Sequence, residues 1–163
     1  MKSIFKIIFA SFFLMILQFC NAQQTEYSRT YNRFSPELQD VANNKTKFNN
    51  QKFKDFYKSL GDRGLEIKMF SYDAKEFNSK DNYILKLYFM DNKSRSYAND
   101  NHYQFPMIKI TFKEKMPQEV EPLTKQYHGE WNNVVAKFFS NMEIEKIEFY
   151  GINGFNSTDR RVR

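Results

Sequence analysis

Two aspartates bracket the segment 81–91, and the residues between them limit more than any other stretch how this chain can fold. Its even positions mix apolar residues with a lysine, whereas its odd positions are all apolar: Tyr83, Leu85, Leu87 and Phe89. A run of this length with a period of two is typical of a β-strand that presents one face to a core. We therefore predict a buried sheet strand here, with its odd residues facing inward.

Three further segments carry strand patterns. The cleanest is 107–113, where apolar Ile108, Ile110 and Phe112 alternate with Lys109, Thr111 and Lys113. In 65–72 we expect one side to hold Leu65, Ile67 and Met69, and the other to hold Glu66, Lys68, Phe70 and Tyr72. A last strand is predicted from Ile144, Ile147 and Phe149. An antiparallel sheet with one wet face produces alternation of this kind.

Apolar residues spaced at three and four predict helices in three places. The segment 35–42 begins with Ser35 and Pro36, which suit a capping position and the first helical position. A helix over 46–60 carries the stripe Phe53, Phe56, Tyr57 and Leu60. The strongest pattern lies in 130–142, where one face holds Trp131, Val134, Val135, Phe138, Phe139 and Met142.

Amphipathic helices need an apolar sheet face to cover, and the strands supply one. The fold class that we predict is therefore α+β. It is a single two-layer domain with a mostly antiparallel sheet of about four strands and amphipathic helices on one face.

The N-terminus has the features of a secretory signal peptide. Lys2 and Lys6 precede a short apolar run, and the small residues Cys20 and Ala22 stand at the two positions that a signal peptidase inspects. We predict cleavage after Ala22, which makes the protein secreted or periplasmic. The apolar run is shorter than the roughly 20 residues that span a bilayer. Phe19 is too bulky for the position before a lipidated cysteine, which argues against a lipid anchor at Cys20.

This interpretation divides the chain into four parts. They are a signal peptide (1–22), an N-terminal arm with a short helix (23–45), the α+β domain (46–155) and a basic, flexible tail (156–163). The formal net charge of +6 falls to +4 when Lys2 and Lys6 leave with the signal. Such a charge keeps a protein soluble but does not indicate nucleic-acid binding, which needs a dense basic face.

The reactive side chains argue against several kinds of site. Cys20 is the only cysteine, so cleavage after Ala22 excludes thiol catalysis and zinc thiolate sites from the mature chain. His102 and His128 do not stand in a metal-binding spacing, and no glycine-rich phosphate loop is present, so we predict neither a metal nor a cofactor. The loop 92–104 is rich in Asn and Asp but lacks the EF-hand pattern, and we interpret these residues as turn formers.

The positive functional prediction concerns the side of the sheet that faces away from the helices. If the alternation holds, eight side chains project there: Lys68, Phe70, Tyr72, Lys86, Tyr88, Lys109, Thr111 and Lys113. Aromatic rings beside cations suit stacking on a ring and pairing with an acid. We therefore predict a binding site for a protein or for an anionic or sugar-containing ligand, formed by Lys68, Tyr72, Lys86, Tyr88, Lys109 and Lys113.

A competing interpretation is that the N-terminal arm, with Tyr27, Tyr31 and Phe34, folds back over this face. Large exposed apolar patches are uncommon on monomers, which favours such a cover. With the face covered, the aromatic residues would belong to the core.

The sequence favours an exported, non-enzymatic binding or interaction domain. One alternative is a small secreted hydrolase that uses Glu143, Glu145 and Glu148 together with the loop 92–104, since glycoside hydrolysis needs only two carboxylates at a suitable separation. A second alternative is an inhibitor or immunity-type protein that blocks a secreted enzyme, a role for which small compact domains are suitable.

Overall fold

The computed structural model describes residues 23–163 in full, and the predicted signal peptide at 1–22 lies outside these described residues. The chain order is α1 (Lys2–Asn43), a 3-10 turn (Lys45–Phe48), α2 (Phe53–Gly61), β1 (Met69–Ala74), β2 (Asn82–Tyr88), α3 (Asn92–Asp100), β3 (Met107–Phe112), α4 (Val120–Gln126), α5 (Asn133–Phe139) and β4 (Ile144–Tyr150). The strands form an antiparallel sheet in the order β1-β2-β3-β4. The predicted α+β class with its four-stranded antiparallel sheet is confirmed.

The strand register decides which residues face the helices. Leu85 of β2 lies opposite Tyr72 of β1 and Ile110 of β3, and Ile110 lies opposite Ile147 of β4. Side chains that share a row in this way point to the same face of a sheet. The next row on this face holds Phe70, Leu87, Ile108 and Phe149. We call this side the covered face, because its residues form the floor of the hydrophobic core.

A layer of aromatic rings joins α2 and α5 to the covered face. Phe139 stacks on Phe112 with centroids 6.1 Å apart, and it meets Phe70 edge-on at 6.0 Å. Phe53 of α2 contacts Phe112 at 6.1 Å and Phe139 at 6.2 Å. The rings of Phe53, Phe112 and Phe139 are fully buried, so apolar area holds these helices on the sheet.

The first strand begins later than predicted, and its phase is the opposite of the predicted one. β1 starts at Met69, and both Leu65 and Ile67 are buried before the ladder begins. Phe70 is buried as well and packs on Trp131 with centroids 5.9 Å apart. The prediction that Phe70 faces away from the helices was therefore wrong. Ile67 and Phe70 are both buried although they are three residues apart, so the alternation of inward and outward residues slips by one position before β1.

Residues 23–34, predicted as part of the N-terminal arm, belong to α1. This helix continues through Pro36 and ends at Asn43. Ser35 was predicted to cap a new helix, but it lies inside α1, so that prediction was wrong. Proline removes one backbone donor from a helix, and tertiary contacts on both sides of Pro36 offset this loss.

Four polar side chains at a spacing of four dock α1 onto distant parts of the chain: Tyr27, Tyr31, Ser35 and Gln39. The Tyr31 hydroxyl donates to the carbonyl of Gly151 at 2.8 Å. Gln39 Nε2 and Ser35 Oγ both donate to the carbonyl of Ile152, at 2.8 and 3.2 Å. The Tyr27 hydroxyl donates to the carbonyl of Gln104. We call this set the docking stripe of α1.

The helix predicted over 130–142 is shorter in the structure. It begins after Asn132, whose Oδ1 accepts from the backbone N–H groups of Val134 and Val135 at 2.9 and 3.1 Å. Trp131 therefore precedes the helix. Val134 is 53 % exposed, so the prediction of one continuous apolar face was wrong at this position.

Two segments predicted to lack helix contain one. The loop 92–104 holds α3, whose cap is Asp91: its side chain accepts from the backbone N–H of Ser94 at 2.8 Å. The second segment, 116–123, was predicted as a rigid connector because it contains Pro117 and Pro122, and it leads into α4. In contrast, the helix predicted over 46–60 is divided into the 3-10 turn and the shorter α2. Capping by side chains and tertiary packing thus set helix ends that apolar spacing misplaces.

The tail 156–163 has partners in the structure. The side-chain amide of buried Gln104 donates to two tail carbonyls, one of them that of Asp159, at 3.1 and 2.6 Å. The backbone of Arg163 exchanges two hydrogen bonds with Phe149 of β4. These contacts place the tail along the sheet edge, and its flexibility stays a prediction.

Candidate binding face

The second face of the sheet, which we call the outer face, consists of the residues between those of the covered face. Its first row is Met69, Tyr88, Met107 and Tyr150. The second row is Ser71, Lys86, Lys109 and Glu148, and the third is Asp73, Ile84, Thr111 and Lys146. An apolar row therefore lies beside two rows that contain both signs of charge.

The lysines of the outer face are paired with carboxylates. Lys86 Nζ lies 2.8 Å from Asp73, and the Nζ atoms of Lys109 and Lys146 lie 3.3 and 2.8 Å from Glu148. The hydrogen bond from Lys86 holds the pKa of Asp73 below its ordinary value. Burial by itself would raise the pKa of Glu148, but the hydrogen bond from Lys146 and the charge of Lys109 outweigh it and lower that pKa. Both carboxylates thus favour the charged form.

The apolar row differs in accessibility along its length. Tyr88 is only 6 % exposed, because Phe105 packs against its ring with centroids 6.0 Å apart and the Arg95 guanidinium lies 5.5 Å from the ring centre. The Tyr88 hydroxyl is 3.0 Å from Ser71 Oγ. The remaining residues of the row are half-buried: Met69, Met107 and Tyr150.

The structure brings together part of the predicted binding site. Lys86, Tyr88 and Lys109 lie on the outer face, as predicted. Tyr72 lies on the covered face, half-buried against the core, so its assignment was wrong. The cause is the slip before β1, which also moved Phe70 into the core.

Lys68 and Lys113 lie beyond the strand ends. Lys68 directly precedes β1 and pairs with Glu66 at 2.8 Å, and Lys113 follows β3 and pairs with Glu143. Neither belongs to the rows of the outer face, because the period of two holds only within the ladder. Their place in one binding surface with Lys86 stays a prediction.

The competing interpretation, in which the N-terminal arm covers the outer face, was wrong. Tyr27, Tyr31 and Phe34 are buried, but Phe34 contacts Phe89 at 6.1 Å, and Phe89 belongs to the core. These aromatic residues therefore extend the core next to the covered face. The contacts that reach the outer face at Tyr88 come instead from Arg95 and Phe105.

Sequence reasoning missed three residues of the apolar row. Met107 precedes inward-facing Ile108, and Tyr150 follows inward-facing Phe149, so the period of two would have placed both outward. Met69 had no such signal, because the alternation in 65–72 predicts the opposite side for it. These half-buried residues complete the apolar row.

The glutamates of the hydrolase alternative are paired with lysines. Glu143 pairs with Lys113, Glu145 pairs with Lys75, and Glu148 pairs with Lys109 and Lys146. The hydrogen bond from Lys113 lowers the pKa of Glu143. A general acid needs a raised pKa, so the arrangement gives this alternative no support.

Both histidines occupy a structural position at a helix end. His102 and His128 directly follow the last cap residues of α3 and α4, with φ of 57° and 52°. At α4, the N–H of Gly129 donates to the carbonyl of Thr124 at 3.1 Å, and the N–H of His128 donates to that of Lys125 at 3.4 Å. This pair of bonds is the Schellman motif, which ends a helix with a left-handed residue. The motif accounts for both histidines without a ligand.

Within residues 23–163, no cluster of three or more His, Cys, Asp and Glu side chains could hold a metal ion. No helix in this part of the chain combines the length and apolar character needed to cross a membrane. Comparison of the chain with protein-family models, curated proteins and solved structures found no match.

Proposed function

We propose that this chain is a non-enzymatic interaction domain that works after export, secreted or periplasmic, and that a protein partner docks on its outer face. One observation carries the proposal: half-buried Met69, Met107 and Tyr150 form an apolar row beside the ion-paired Lys86 and Lys109. Protein interfaces combine an apolar centre with a polar rim, and Met and Tyr are enriched in them.

The pairing of charges favours a protein over an anionic molecule. Lys86 and Lys109 already have Asp73 and Glu148 as partners, so an anion at this place would meet a carboxylate beside each lysine. A protein surface that carries both signs of charge can pair with both. A sugar would stack on an exposed ring, and of the two tyrosines in the apolar row Tyr88 is packed on Phe105, which leaves only half-buried Tyr150 for this contact.

The export part of the proposal rests on the N-terminal sequence. Lys2, Lys6 and the apolar run form a signal pattern that ends at Ala22. Cleavage there would leave Gln23 as the first residue, four residues before Tyr27 of the docking stripe. Mass spectrometry of the protein from the host's periplasmic and culture fractions should find Gln23 at the N-terminus. Recovery of the uncleaved chain in the cytoplasm alone would refute export.

The docking proposal can be tested with a photo-crosslinking amino acid at Met107 in the native host. A matched control carries the same group at Glu37, which is exposed on α1. We expect one protein to be crosslinked from position 107 and not from position 37. If that protein is an enzyme, its activity in the complex shows whether this chain inhibits it.

The purified partner then allows a measurement of affinity. We expect Met107→Asp and Lys109→Glu to raise the dissociation constant at least about tenfold, since both residues lie in the proposed contact. Glu37→Lys should leave it unchanged. All variants should stay folded, with a lowered melting temperature for Lys109→Glu because its ion pair with Glu148 is lost. Equal affinity for the outer-face variants and the control would refute this docking surface.

A further inference from the structure

A groove of about 530 Å3 lies between the end of α2, the segment that leads into β1 and the start of α5. Trp131 lines this groove and packs on Phe70 of the covered face, so the groove is separate from the outer face. A volume of this order suits a small molecule. We propose that the groove binds a neutral saccharide, which stacks a sugar ring on Trp131 and hydrogen-bonds to the polar side chains around it.

Two aromatic side chains give the groove an apolar wall. Trp131 and Tyr57 are both half-buried, with ring centroids 5.6 Å apart. Phe139 stacks on Trp131 at 6.3 Å with the ring planes 6° apart, so the core covers one face of the indole. The accessible part of the indole lines the groove. A pyranose ring presents a flat face of C–H groups, which packs well on an aromatic ring.

Asn132 supplies a hydrogen-bond donor of fixed orientation beside Trp131. Its Oδ1 accepts from the backbone N–H groups of Val134 and Val135 at 2.9 and 3.1 Å, and these two bonds hold the plane of the side-chain amide. In the part of the chain that the structure describes, Nδ2 has no acceptor. Because its orientation is already fixed, this donor loses little entropy when it binds the oxygen of a ligand.

The Tyr57 hydroxyl is a second donor in the lining. It accepts a hydrogen bond from Trp131 Nε1 at 3.3 Å. Its own O–H has no acceptor among the described residues, and a phenolic hydroxyl donates as well as accepts. Two unpaired donors therefore lie next to the aromatic wall, where the hydroxyl groups at the edge of a stacked sugar ring would meet them.

The carboxylates of the lining favour a neutral ligand. Lys58 lies 2.6 Å from Oδ2 of Asp62, and Lys68 lies 2.8 Å from Oε2 of Glu66. The charges cancel within each pair, so the groove holds no net charge that would select an anion or a cation. Each lysine contacts one oxygen, and a carboxylate can accept about four hydrogen bonds, so both keep acceptor sites for sugar hydroxyls.

The backbone beside the groove argues against an extended peptide as the ligand. Such a peptide adds a strand to a row of free N–H and C=O groups. Here the N–H of Leu65 donates to the carbonyl of Leu60 at 3.0 Å, and the N–H of Lys68 donates to that of Tyr88 at 2.8 Å. The carbonyl of Lys68 accepts from the N–H of Trp131 at 3.0 Å. The groove therefore offers a ligand its side chains rather than a strand edge.

Fluorescence of the purified protein tests the binding, because Trp131 is the only tryptophan of the chain. The probes are cellotriose, maltotriose, laminaritriose, mannotriose and N-acetylated chitotriose. We expect a saturable change in tryptophan emission with at least one of them, and calorimetry then gives the dissociation constant. No saturable response to any probe up to about 10 mM overturns the proposal. A response to tetramethylammonium chloride alone would show a cation site at the same rings and overturns the choice of ligand.

The variant Asn132→Asp separates binding from folding. Aspartate caps a helix as well as asparagine does, so the variant should keep the melting temperature of the parent, but it lacks the Nδ2 donor. We expect the dissociation constant for the saccharide to rise at least about fivefold. Unchanged affinity in this variant overturns the assigned site. Photo-crosslinking from Met107 should be the same as in the parent, since the two surfaces are independent.

The variant Gly61→Phe tests the location of the ligand. Gly61 ends α2 and lines the groove, and a Cβ there would have no neighbouring atom within 4 Å. A large side chain at this position should therefore fill the groove without straining the fold and abolish the fluorescence response. Gly61→Ala is the matched control and should bind as the parent does. Binding that persists in Gly61→Phe overturns the proposed location.

Discussion

The covered face and the outer face of the sheet come from the same four strands, yet only the outer face carries charged residues. On β3, Ile108 and Ile110 of the covered face are completely buried, whereas their neighbour Lys109 is ion-paired at the surface. On β2, Leu85 and Leu87 alternate with Lys86 in the same way. Stability therefore comes mainly from one face, and the other face can accept changes that a binding surface requires.

The largest expected effect is the loss of stability when a large buried side chain at the covered face is truncated. Phe139→Ala should lower the free energy of unfolding by about 3–5 kcal/mol, because Phe139 is fully buried between α5 and the covered face. Lys109→Ala on the outer face should cost no more than about 1 kcal/mol. Urea denaturation measures both, and similar losses would show that the outer face is also part of the core.

A second test exchanges polarity at neighbouring positions of β3. Ile110→Thr places a hydroxyl on the covered face and should cost about 1–3 kcal/mol. Thr111 on the outer face is only 8 % exposed, and Thr111→Val removes its hydroxyl at nearly constant volume, so this change should affect stability less than Ile110→Thr does. Thermal and urea unfolding compare the pair. A larger cost for Thr111→Val than for Ile110→Thr would contradict the assignment of the faces.

A third test concerns the edge of the sheet, where the turn after α4 accepts a hydrogen bond from Phe70 N–H at the carbonyl of Gly129. His128→Gly should be more stable than His128→Ala by about 1 kcal/mol, because glycine adopts the left-handed conformation without strain. The next residue should respond in the opposite sense. At Gly129, with a φ of 75°, an alanine Cβ would lie 3.1 Å from the Phe70 carbonyl oxygen, so Gly129→Ala should destabilise the protein.

Equal stability of His128→Gly and His128→Ala would mean that His128 is not held in the left-handed conformation. A neutral Gly129→Ala would mean that this turn does not approach β1 so closely. Either result would contradict the contact between the turn after α4 and the edge of the sheet.

The smallest expected effect is a difference between the two faces in how stability depends on pH. Hydrogen bonds from lysines lower the pKa of Asp73, and lysine contacts lower that of Glu148 against the effect of burial. Lowered folded pKa values mean that this stabilisation is complete above the ordinary values of 3.8 and 4.5 and is lost as the pH falls below them. Glu148→Gln should therefore flatten the fall of the melting temperature in acid.

For the tyrosines packed beside the covered face, the pH dependence of stability has the opposite sign. Burial raises the pKa values of Tyr27 and Tyr31, so their stabilisation is complete below the ordinary value of 10.0 and is lost as the pH rises above it. Tyr27→Phe should flatten the alkaline fall of the melting temperature and leave the acid side unchanged. A change on the acid side instead would contradict the separation of the two faces.

Part of this architecture could be read from local patterns. The alternation in 81–91 and 107–113 correctly placed Leu85, Leu87, Ile108 and Ile110 inward and Lys86 and Lys109 outward, because the side-chain period of a strand is fixed by its backbone. The same rule failed in 65–72. Apolar residues on both sides of the slip contact the core there, so two phases fit the sequence equally well.

The candidate site was found only in part for the same reason. Lys86, Tyr88 and Lys109 follow from the phases of β2 and β3, whereas Tyr72 inherited the wrong phase of β1. The degree of exposure was not predictable at all. Whether Tyr88 is open to a ligand depends on Phe105, which lies beyond α3 in the chain.

The sequence by itself determined the strand periods, the apolar character of one face and therefore the two-layer class, because these depend on neighbours within a few residues. Only the tertiary structure decided the role of α1, whose docking stripe bonds to the carbonyls of Gly151 and Ile152 more than a hundred residues away. A hydrogen bond to a distant backbone carbonyl leaves no periodic trace in the sequence. Its partner becomes identifiable only when the chain has folded.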